Sequence, residues 1–439
     1  AEKTQQIVPP SPTTPIQITG VLWKFMRRWQ LQSCERKAKK MQVTFVSNYI
    51  NHHQIPFCDA MYRKLGDAYR FVQTEPMEEE RIRMGWGENV NGLPYLLLYY
   101  EKGEECRRLI AESDVVLFGG VEDESLIADR LRAGRLTVRL SERLYREGQW
   151  KAVSPRGLIK KYHDHTRYRK KNVYLLCCGG YVASDFHIIR AYPDKMFKWG
   201  YFPRLKEYDI EALLQKKRRR REAKGTVSLL WAGRFMELKH PEYAVEAAAR
   251  LKQEGYAVSL TMVGGGELDE KLRSMAEAKN VAKETVFAGF QKPDEVRRYM
   301  EQADIFLFTS DYREGWGAVL NEAMNSGCAV VANCAVGAVP FLLKPDKNGL
   351  VYPNKRMDMF YDSIVRLIKE PEEMERLGRE AYRTIAEEWN AEKAAGKLLS
   401  LLEGLLLGRV EFAEKGVLSR APVIAPKKMY HHLNRCVPD

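Results

Sequence analysis

Residues 305–327 read IFLFTSDYREGWGAVLNEAMNSG. The stretch begins with an apolar run typical of a buried strand and continues through a loop in which two glycines flank Trp316. It ends in a short helix-periodic segment closed by Gly327. A strand, a glycine loop and a helix in this order place backbone N–H groups and the positive end of a helix dipole where an anion can bind.

Two glutamates frame this loop. Glu314 lies within it and Glu322 lies inside the helix, little more than one turn in if Gly317 opens it, at about 1.5 Å rise per residue. One carboxylate can therefore reach a group ahead of the helix, while the other reaches back along its flank. A ligand with phosphates in the middle and a polyol at each end satisfies these features. Acidic residues near a helix start are also ordinary dipole partners in doubly wound domains, so the loop alone leaves a structural role equally open.

The composition is that of a globular protein of more than one domain. The 439 residues are too many for a single core, and the apolar fraction of 45% and charged fraction of 29% are ordinary. Lys and Arg number 71 against 58 Asp and Glu, a net charge of +13 that favours anionic partners. No apolar run approaches the ~20 residues that span a bilayer. The eight scattered cysteines, without a CxxC pair, favour a reducing compartment and hence a cytoplasmic location.

Residues 1–40 are interpreted as an appended segment. A Pro/Thr-rich stretch precedes a short basic amphipathic helix, in which Leu22, Phe25, Met26 and Trp29 share one face. Such a helix can lie on an anionic membrane, dock on the body of the protein, bind a partner or be an expression remnant. With the basic stretches at 158–171 and 216–221, it predicts a peripheral location on the inner face of the cell membrane.

Strands and helices alternate from residue 41 onward, which predicts parallel sheets covered by helices on both faces. A run of six basic residues separates two such series, and its interpretations are, in order, a solvated linker, a contact with lipid headgroups and a contact with nucleic acid. The predicted domains are an acceptor-side Rossmann-like domain at 41–205, a basic linker at 206–224, a donor-binding Rossmann-like domain at 225–385, and a C-terminal helix and tail at 386–439. The predicted strands are 42–47, 95–100, 115–118, 136–140, 173–178, 227–232, 258–263, 285–288, 305–309 and 329–332.

The strand ends of the second series carry residues suited to a nucleotide. Arg234 and Lys239, after the strand predicted at 227–232, can bracket a pyrophosphate, although most Arg and Lys are simply surface charges. The glycines at 264–266 do not form GxGxxG with a following acidic residue, so a nicotinamide dinucleotide is disfavoured. Gly289 and Phe290 offer backbone and a ring to a nucleobase, although apolar residues at strand ends are usually core.

Five segments occur in order between residues 231 and 353: GRFMELKHPEYAVEAA, VGGGE, VFAGF, DYREGWGAVLNEAMNSGCAVVA and NGLVYP. Together they resemble the donor domain of glycosyltransferase family 4, the retaining nucleotide-sugar transferases of GT-B fold. The most specific element is the Glu-x7-Glu spacing of Glu314 and Glu322. The resemblance implies an α/β protein of GT-B fold, with two Rossmann-like doubly wound domains facing a cleft and C-terminal helices crossing back to the first domain.

The resemblance also implies roles for single residues. Arg234 and Lys239 hold the donor diphosphate, Glu314 faces the donor sugar, and Glu322 bonds the nucleoside ribose. Reaction by front-face displacement with retention needs no metal and no other cofactor, because protein cations stabilise the leaving diphosphate. The implied catalytic residues are Glu314, Lys239 and Arg234. The implied donor-binding residues are Gly233, Arg234, Lys239, Gly265, Gly289, Phe290, Glu314, Gly315, Trp316, Gly317 and Glu322.

The first series matches that family only in layout. Its first loop, SNYINHH at 47–53, lacks the glycines that family members often carry. The candidates for contact with the acceptor are His52, His53, Glu142 and His163. Each of them has a structural or solvated role as its alternative.

The sequence therefore predicts a retaining glycosyltransferase that moves a sugar from a UDP- or GDP-sugar to a carbohydrate or lipid-linked acceptor. Cell-surface polysaccharide or glycolipid synthesis is the predicted setting. One alternative is a nucleotide-sugar 2-epimerase of the same architecture. The other is a non-catalytic basic protein that binds membranes or RNA; the intact glutamates and paired cations count against it.

Overall fold

A computed structural model describes residues 40–83, 90 and 92–435. The predicted basic amphipathic helix of residues 22–29 lies outside the described residues. From Gln42 onward the chain forms one compact unit, within which two parallel sheets are found. Residues 42–205 are called the first half below, and residues 206–385 the second half.

The first half contains a seven-stranded sheet in the order β3-β2-β1-β4-β5-β6-β7, and every neighbouring pair is parallel. Its strands are apolar and mostly buried, because helices cover both faces of the sheet. The strands are β1 (Val43–Ser47), β2 (Tyr69–Gln73), β3 (Leu96–Leu98), β4 (Val115–Gly119), β5 (Thr137–Ser141), β6 (Val173–Cys178) and β7 (Met196–Trp199). The helices are α1 (Ile55–Leu65), α2 (Glu79–Arg83), α3 (Gly103–Glu112), α4 (Ser125–Ala133), α5 (Pro155–Asp164) and α6 (Val182–Ile188).

The second half contains a six-stranded parallel sheet in the order β10-β9-β8-β11-β12-β13. Its strands are β8 (Val227–Ala232), β9 (Val258–Val263), β10 (Thr285–Gly289), β11 (Ile305–Phe308), β12 (Ala329–Asn333) and β13 (Leu350–Tyr352). Its helices are α7 (Ile210–Lys224), α8 (Glu242–Gln253), α9 (Asp269–Ala278), α10 (Pro293–Gln302), α11 (Val319–Asn325), α12 (Val339–Leu342), α13 (Met357–Lys369) and α14 (Pro371–Arg383). Two further helices, α15 (Ala391–Leu406) and α16 (Met429–Arg435), follow.

Each sheet has a switch point where the strand order reverses. In the first sheet β1 lies between β2 and β4, and in the second β8 lies between β9 and β11. The loops after such strands diverge to opposite sides and leave a crevice at the carboxyl edge of the sheet, which is where open α/β sheets bind ligands. The topology thus places the loop after β8 beside the loop after β11.

The C-terminal helix crosses back to the first half. Helix α15 packs against α1, and Glu392 near its start forms a salt bridge with Arg63 near the end of α1. The tail continues to Arg420, which forms an antiparallel bridge with Phe197 of β7. The predicted architecture of two doubly wound units with returning C-terminal helices is therefore confirmed.

The two halves meet along a line of glycines, called here the glycine seam: Gly179 and Gly180 in the first half, Gly315 and Gly337 in the second. The amide of Gly180 donates to the carbonyl oxygen of Gly337 over 2.8 Å. A Cβ on Gly337 would overlap the carbonyl oxygen of Gly315, and one on Gly179 would lie 3.0 Å from that same oxygen. Backbone therefore touches backbone among Gly179, Gly315 and Gly337, while Gly180 also lies against the side chain of Pro340.

The basic run near residue 218 differs from its prediction. Most of the expected solvated linker at 206–224 is helix α7, which Asp209 caps by accepting a hydrogen bond from the amide of Ala212. Lys217 is buried and donates to the carbonyl oxygens of Met300 (3.2 Å) and Ser326 (2.8 Å). Salt bridges to Asp304 and Glu375 pair Arg218, Arg220 and Arg221. Four of the six basic residues thus have partners distant in sequence, while Lys216 and Arg219 are exposed.

The predicted basic helix at 158–171 also needs correction. Helix α5 begins three residues earlier, because Pro155 occupies its first turn and the Ser154 hydroxyl accepts a hydrogen bond from the Gly157 amide. It ends at Asp164, and a short 3-10 turn, Thr166–Tyr168, follows.

No helix within residues 40–83, 90 and 92–435 combines the length and apolar character needed to cross a membrane. The six cysteines in that part of the chain are buried thiols. The cytoplasmic location remains a prediction.

Candidate active site

A cavity of about 1100 Å³ opens between the two halves at the carboxyl ends of their strands. Residues from both halves line it. The sequence-predicted residues that the structure brings to this cavity are Gly233, Arg234, Lys239, Gly265, Phe290, Glu314, Gly315, Trp316, Gly317, Glu322, His52, His53 and Glu142. Two predicted residues, Gly289 and His163, do not line it.

Lys239 and Glu314 form an ion pair in the cavity wall. Their side chains are 18% and 16% exposed, so both charges are largely withdrawn from solvent yet face the cavity. Lys239 ends a 3-10 turn after β8, and the Thr309 hydroxyl at the end of β11 donates to its carbonyl oxygen over 2.7 Å. The switch point therefore joins a cation and a carboxylate that lie 75 residues apart in sequence.

His240 connects the same two loops from behind. Its Nδ1 lies 2.8 Å from the Glu242 carboxylate and its Nε2 lies 3.4 Å from the Asp311 carboxylate. Hydrogen bonds to Asp311 and Glu242 raise the pKa of His240 to about 9, so that the ring carries a positive charge at neutral pH. The ring stacks on Tyr243 with centroids 4.7 Å apart. Sequence analysis missed this residue, although a histidine directly after Lys239 and two positions before an acidic residue was a usable signal.

Asp311 connects this network to the glycine loop. Burial favours its neutral form, but hydrogen bonds from His240 and Arg313 lower the pKa of Asp311 below its ordinary value. The amide of Asp311 donates to the carbonyl oxygen of Leu238 over 2.9 Å. Three residues later the chain reaches Glu314, so the Asp311 anchor determines where that carboxylate lies.

Gly317 closes the loop with φ at +84°, a conformation that glycine adopts without strain. A Cβ there would also overlap the ring of Phe308. Helix α11 begins two residues later at Val319, close to the predicted start.

Glu322 lies in α11 at the cavity wall, with its side chain 15% exposed. Burial raises the pKa of Glu322, and the guanidinium of Arg297, 3.7 Å away, partly opposes that effect. Arg297 also donates to the carbonyl oxygen of Glu322 over 3.0 Å and to Asn325 Oδ1 over 2.8 Å. The carboxylate is therefore held in place and can accept hydrogen bonds from a polyol in the cavity.

Trp316 is committed to packing. Its side chain is 1% exposed, and its Nε1 donates to Asn321 Oδ1 over 2.9 Å. The ring lies against Gly200 of the first half, where any Cβ would overlap it, and against Trp389. Its main structural effect is to join the glycine loop to the first half.

The far end of the cavity is formed by Gly265 and Phe290. Phe290 is 54% exposed, so its ring is available to a planar ligand group. Gly289 lies behind this surface, and its carbonyl oxygen accepts from the Gly264 amide over 2.9 Å. Gly289 itself does not line the cavity, and its contact with a base remains a prediction.

The first half contributes His52, His53 and Glu142. Burial lowers the pKa of His52 to about 4 and that of His53 well below its ordinary value, so both rings are neutral at pH 7. Glu142 accepts a hydrogen bond from the Tyr201 hydroxyl over 2.9 Å, and its carboxylate lies against Gly315 of the second half.

His163 is not part of this wall. It lies on the exposed helix α5, where its Nδ1 is 3.4 Å from the guanidinium of Arg167. His163 therefore lies away from the cavity, and its contact with an acceptor remains a prediction.

A buried ion pair that was not predicted from the sequence lies behind the first-half wall. Arg143, which lines the cavity, donates to the Asp185 carboxylate from Nε (3.2 Å) and Nη2 (3.1 Å). The two side chains are 4% and 0% exposed. A strand-end arginine and a helix aspartate 42 residues apart leave no local signal of such a pair.

Within the residues that the structure describes, no group of three or more His, Cys, Asp and Glu side chains is arranged to hold a metal ion. Metal independence remains a prediction.

Comparison with known proteins first defines a class. The family described as "Glycosyl transferases group 1" matches residues 214–384, which contain Arg234, Lys239, Glu314 and Glu322. The crystal structure of Anabaena HepE in complex with UDP is similar in fold, with a TM-score of 0.60 at 14% identity, over 82% of this chain and all of that one. The apo form of the lipopolysaccharide outer core galactosyltransferase WaaB is similar in fold too, with a TM-score of 0.59 at 14% identity, over 82% of this chain and 99% of that one. The fold is therefore GT-B.

Individual relatives agree with that class. The GDP-mannose-dependent alpha-(1-6)-phosphatidylinositol monomannoside mannosyltransferase of Mycobacterium tuberculosis is 26% identical over 318 residues, covering 68% of this chain and 78% of the relative. The amylovoran biosynthesis glycosyltransferase AmsK of Erwinia amylovora is 28% identical over 182 residues, covering 40% of this chain and 44% of the relative. Fold, matched segment and relatives together support a GT-B glycosyltransferase that uses a nucleotide sugar.

Proposed function

We propose that this protein is a retaining glycosyltransferase that moves a sugar from a UDP- or GDP-sugar to a carbohydrate or lipid-linked acceptor. The observation that carries the proposal is the Lys239–Glu314 ion pair, which shares one cavity with Glu322. Cell-surface polysaccharide or glycolipid synthesis on the cytoplasmic side of the membrane is the proposed setting. Neither a metal nor another cofactor is needed.

The relatives indicate which ligands to test first. The mycobacterial relative is named for GDP-mannose and for a phosphatidylinositol monomannoside, and HepE was solved with UDP. AmsK is named for amylovoran biosynthesis. UDP- and GDP-sugars are therefore the first donors, and lipid-linked or polysaccharide acceptors are the first partners.

The geometry supports a division of labour. Arg234 and Lys239 lie in the cavity wall, where cations bind a diphosphate in the ground state and stabilise the charge that develops as it leaves. When the donor binds, its diphosphate pairs with Lys239 in place of Glu314. The Glu314 carboxylate is then able to accept hydrogen bonds from the hydroxyls of the donor sugar. Glu322, one turn into α11, accepts from the ribose. The acceptor enters from the first-half wall, past Glu142 and the two neutral histidines.

One of the basic clusters behind the RNA-binding alternative is largely paired within the fold. In the basic run of α7, Arg218, Arg220 and Arg221 form salt bridges with Asp304 and Glu375, and Lys217 is buried.

The test separates the two glutamates. Glu322→Ala removes a hydrogen bond to a charged acceptor, worth about 1.5–3 kcal/mol, and should weaken nucleoside diphosphate binding by about 10- to 150-fold. Glu314→Gln should leave nucleotide binding nearly intact and reduce turnover by orders of magnitude. Calorimetry with UDP and GDP measures the first effect, and product formation measures the second. Glu277→Gln, an exposed glutamate of α9, is the matched control and should change neither.

Two outcomes would contradict the proposal. One is loss of nucleotide binding in Glu314→Gln as severe as in Glu322→Ala; the other is transfer by Glu314→Gln at the parent rate. Interconversion of the donor without any transferred product would instead support the 2-epimerase alternative. EDTA should alter neither binding nor turnover, and a loss that Mg²⁺ or Mn²⁺ restores would refute metal independence.

A further inference from the structure

Helix α5 (Pro155–Asp164) has no buried residue, although it is amphipathic. Pro155, Leu158, Ile159 and Tyr162 fall at i, i+3, i+4 and i+7, the spacing that places residues on one face. Such a face normally packs against a core. Here Leu158, Ile159 and Tyr162 are 41%, 60% and 54% exposed, so the apolar face is open to solvent.

The preceding 3-10 turn, Gln149–Val153, extends this surface. Trp150 is 70% exposed and Val153 is 79% exposed. We call these two residues, with Leu158, Ile159 and Tyr162, the apolar patch. Of the 15 large exposed apolar side chains in the described part of the chain, five lie in these 13 residues. Such a concentration marks an interaction site rather than scattered surface residues.

The same segment carries much of the net charge. Residues 146–171 contain nine Lys and Arg against two acidic residues, Glu147 and Asp164. Both acids are already paired, Glu147 with Lys151 and Asp164 with Lys160 at 3.1 Å. The excess of seven positive charges is more than half of the +13 of the whole chain. Apolar side chains and cations therefore alternate along this segment.

This surface is anchored beside the cavity. The amide nitrogen of the Gln149 side chain donates to Ser184 Oγ (3.0 Å) and to Asp185 Oδ1 (2.8 Å). Asp185 is the buried partner of Arg143, which lines the cavity. Arg146, four residues before Trp150, lines it too. The turn that presents Trp150 is thus fastened to the first-half wall of the cavity.

We propose that the apolar patch inserts into the surface of an acidic lipid bilayer, with the cations of residues 146–171 against its headgroups. The first-half wall then faces the membrane, where a lipid-linked acceptor is held. The proposal rests on the proposed function for the identity of that acceptor, but the membrane contact can be tested alone.

Charge favours a bilayer over other partners. Aromatic and aliphatic side chains interleaved with Lys and Arg are typical of helices that lie in a membrane interface. Association of two copies through this surface would oppose two strongly positive patches, and like charges repel. An anionic lipid surface satisfies the cations and removes the apolar side chains from water at the same time.

The experiment is vesicle flotation of the full chain. Vesicles of phosphatidylglycerol mixed with phosphatidylcholine are compared with pure phosphatidylcholine, at low and high salt. We expect binding only to the acidic vesicles, weaker at high salt. The variant Trp150→Ser/Ile159→Ser should lower the partition coefficient by about tenfold or more. The matched control Leu406→Ser/Leu407→Ser alters two exposed leucines at the end of α15 (46% and 70% exposed) and should leave it unchanged.

A third variant, Phe25→Ser/Trp29→Ser, measures the separate contribution of the N-terminal basic stretch. Equal binding of the patch variant and the parent, or equal binding to neutral vesicles, would overturn the proposal. A change from dimer to monomer in the patch variant, with lipid binding unaltered, would assign the patch to a second copy instead. Nucleotide binding is measured by calorimetry without vesicles, so failure of the proposed function would appear there and leave the flotation result standing.

Discussion

The His240→Asn substitution tests whether a charged imidazole holds the two site loops together. Asparagine is the most suitable replacement, because His240 has φ at +48° and Asn tolerates the left-handed region better than other non-glycine residues. The substitution keeps a polar side chain but removes the positive charge between Asp311 and Glu242.

The size of the effect follows from the pKa. A histidine titrates near 6.5 in an unfolded chain and His240 titrates at about 9 in the fold. At about 1.36 kcal/mol per pKa unit, the difference is worth about 3 kcal/mol. Because a fifth of the side chain is exposed, we take this figure as an upper bound. Since the folded pKa is the higher one, the stabilisation is complete below about pH 6.5 and is lost as the pH rises through 9.

The assay is urea unfolding of the parent and His240→Asn at pH 6 and pH 10. The parent should be more stable than the variant by up to about 3 kcal/mol at pH 6, and the gap should narrow at pH 10. Titration of other groups is common to both proteins and cancels in the difference. His163→Asn, on exposed helix α5, serves as the control and should show no such pH-dependent gap. If the difference in stability between parent and variant is equal at the two pH values, or larger at pH 10, the charge on His240 does not hold the two loops together.

Two further predictions concern packing at the domain contact and in the first-half wall. Gly200→Ala should lower the free energy of unfolding by about 1–3 kcal/mol, because the new Cβ overlaps Trp316. Gly396 is a helical glycine with nothing within 4 Å of an added Cβ, so Gly396→Ala should raise the free energy of unfolding by about 0.5–1 kcal/mol. Thermal denaturation measures both changes, and equal effects of the two substitutions would contradict the overlap. Arg143→Met should lower the free energy of unfolding by about 3–5 kcal/mol, because Asp185 is left buried without a counter-charge. The double substitution Arg143→Met/Asp185→Leu should recover most of that stability, as measured by urea unfolding. If it recovers none, the loss in the single variant comes from packing and not from charge.

The second-half wall of the cavity was predictable because its residues follow apolar strands. Strands β8 and β9 were predicted to the residue from continuous apolar runs, and the carboxyl ends of parallel strands meet at one edge. Arg234, Lys239 and Glu314 therefore had to converge if the strands were right. Strands β2, β7 and β13 were missed. Arg and Gln interrupt the apolar pattern of β2, Lys198 interrupts the four-residue β7, and β13 has only three residues.

The remaining features depend on contacts between distant parts of the chain. The local sequence of α7 predicts a solvated basic run, but Arg218 and Arg221 donate hydrogen bonds to Glu375, which lies more than 150 residues later in the chain. The sequence does not show that α5, which contains His163, lies outside the cavity. The same dependence hid Arg143–Asp185, since neither residue is unusual until the other is placed beside it.

The glycine seam has a consequence for recombination between relatives. Where two bodies touch through side chains, each surface must be shaped for the other, and exchanging one body disrupts the fit. Here the contact at Gly179, Gly180, Gly315 and Gly337 is made by main-chain atoms that every protein of this fold possesses. A hybrid that joins this second half to the first half of another glycosyltransferase therefore needs glycine at these four places. It must also preserve the side-chain contacts beside the line, which are Gly180 with Pro340, Gly315 with Glu142 and Gly200 with Trp316.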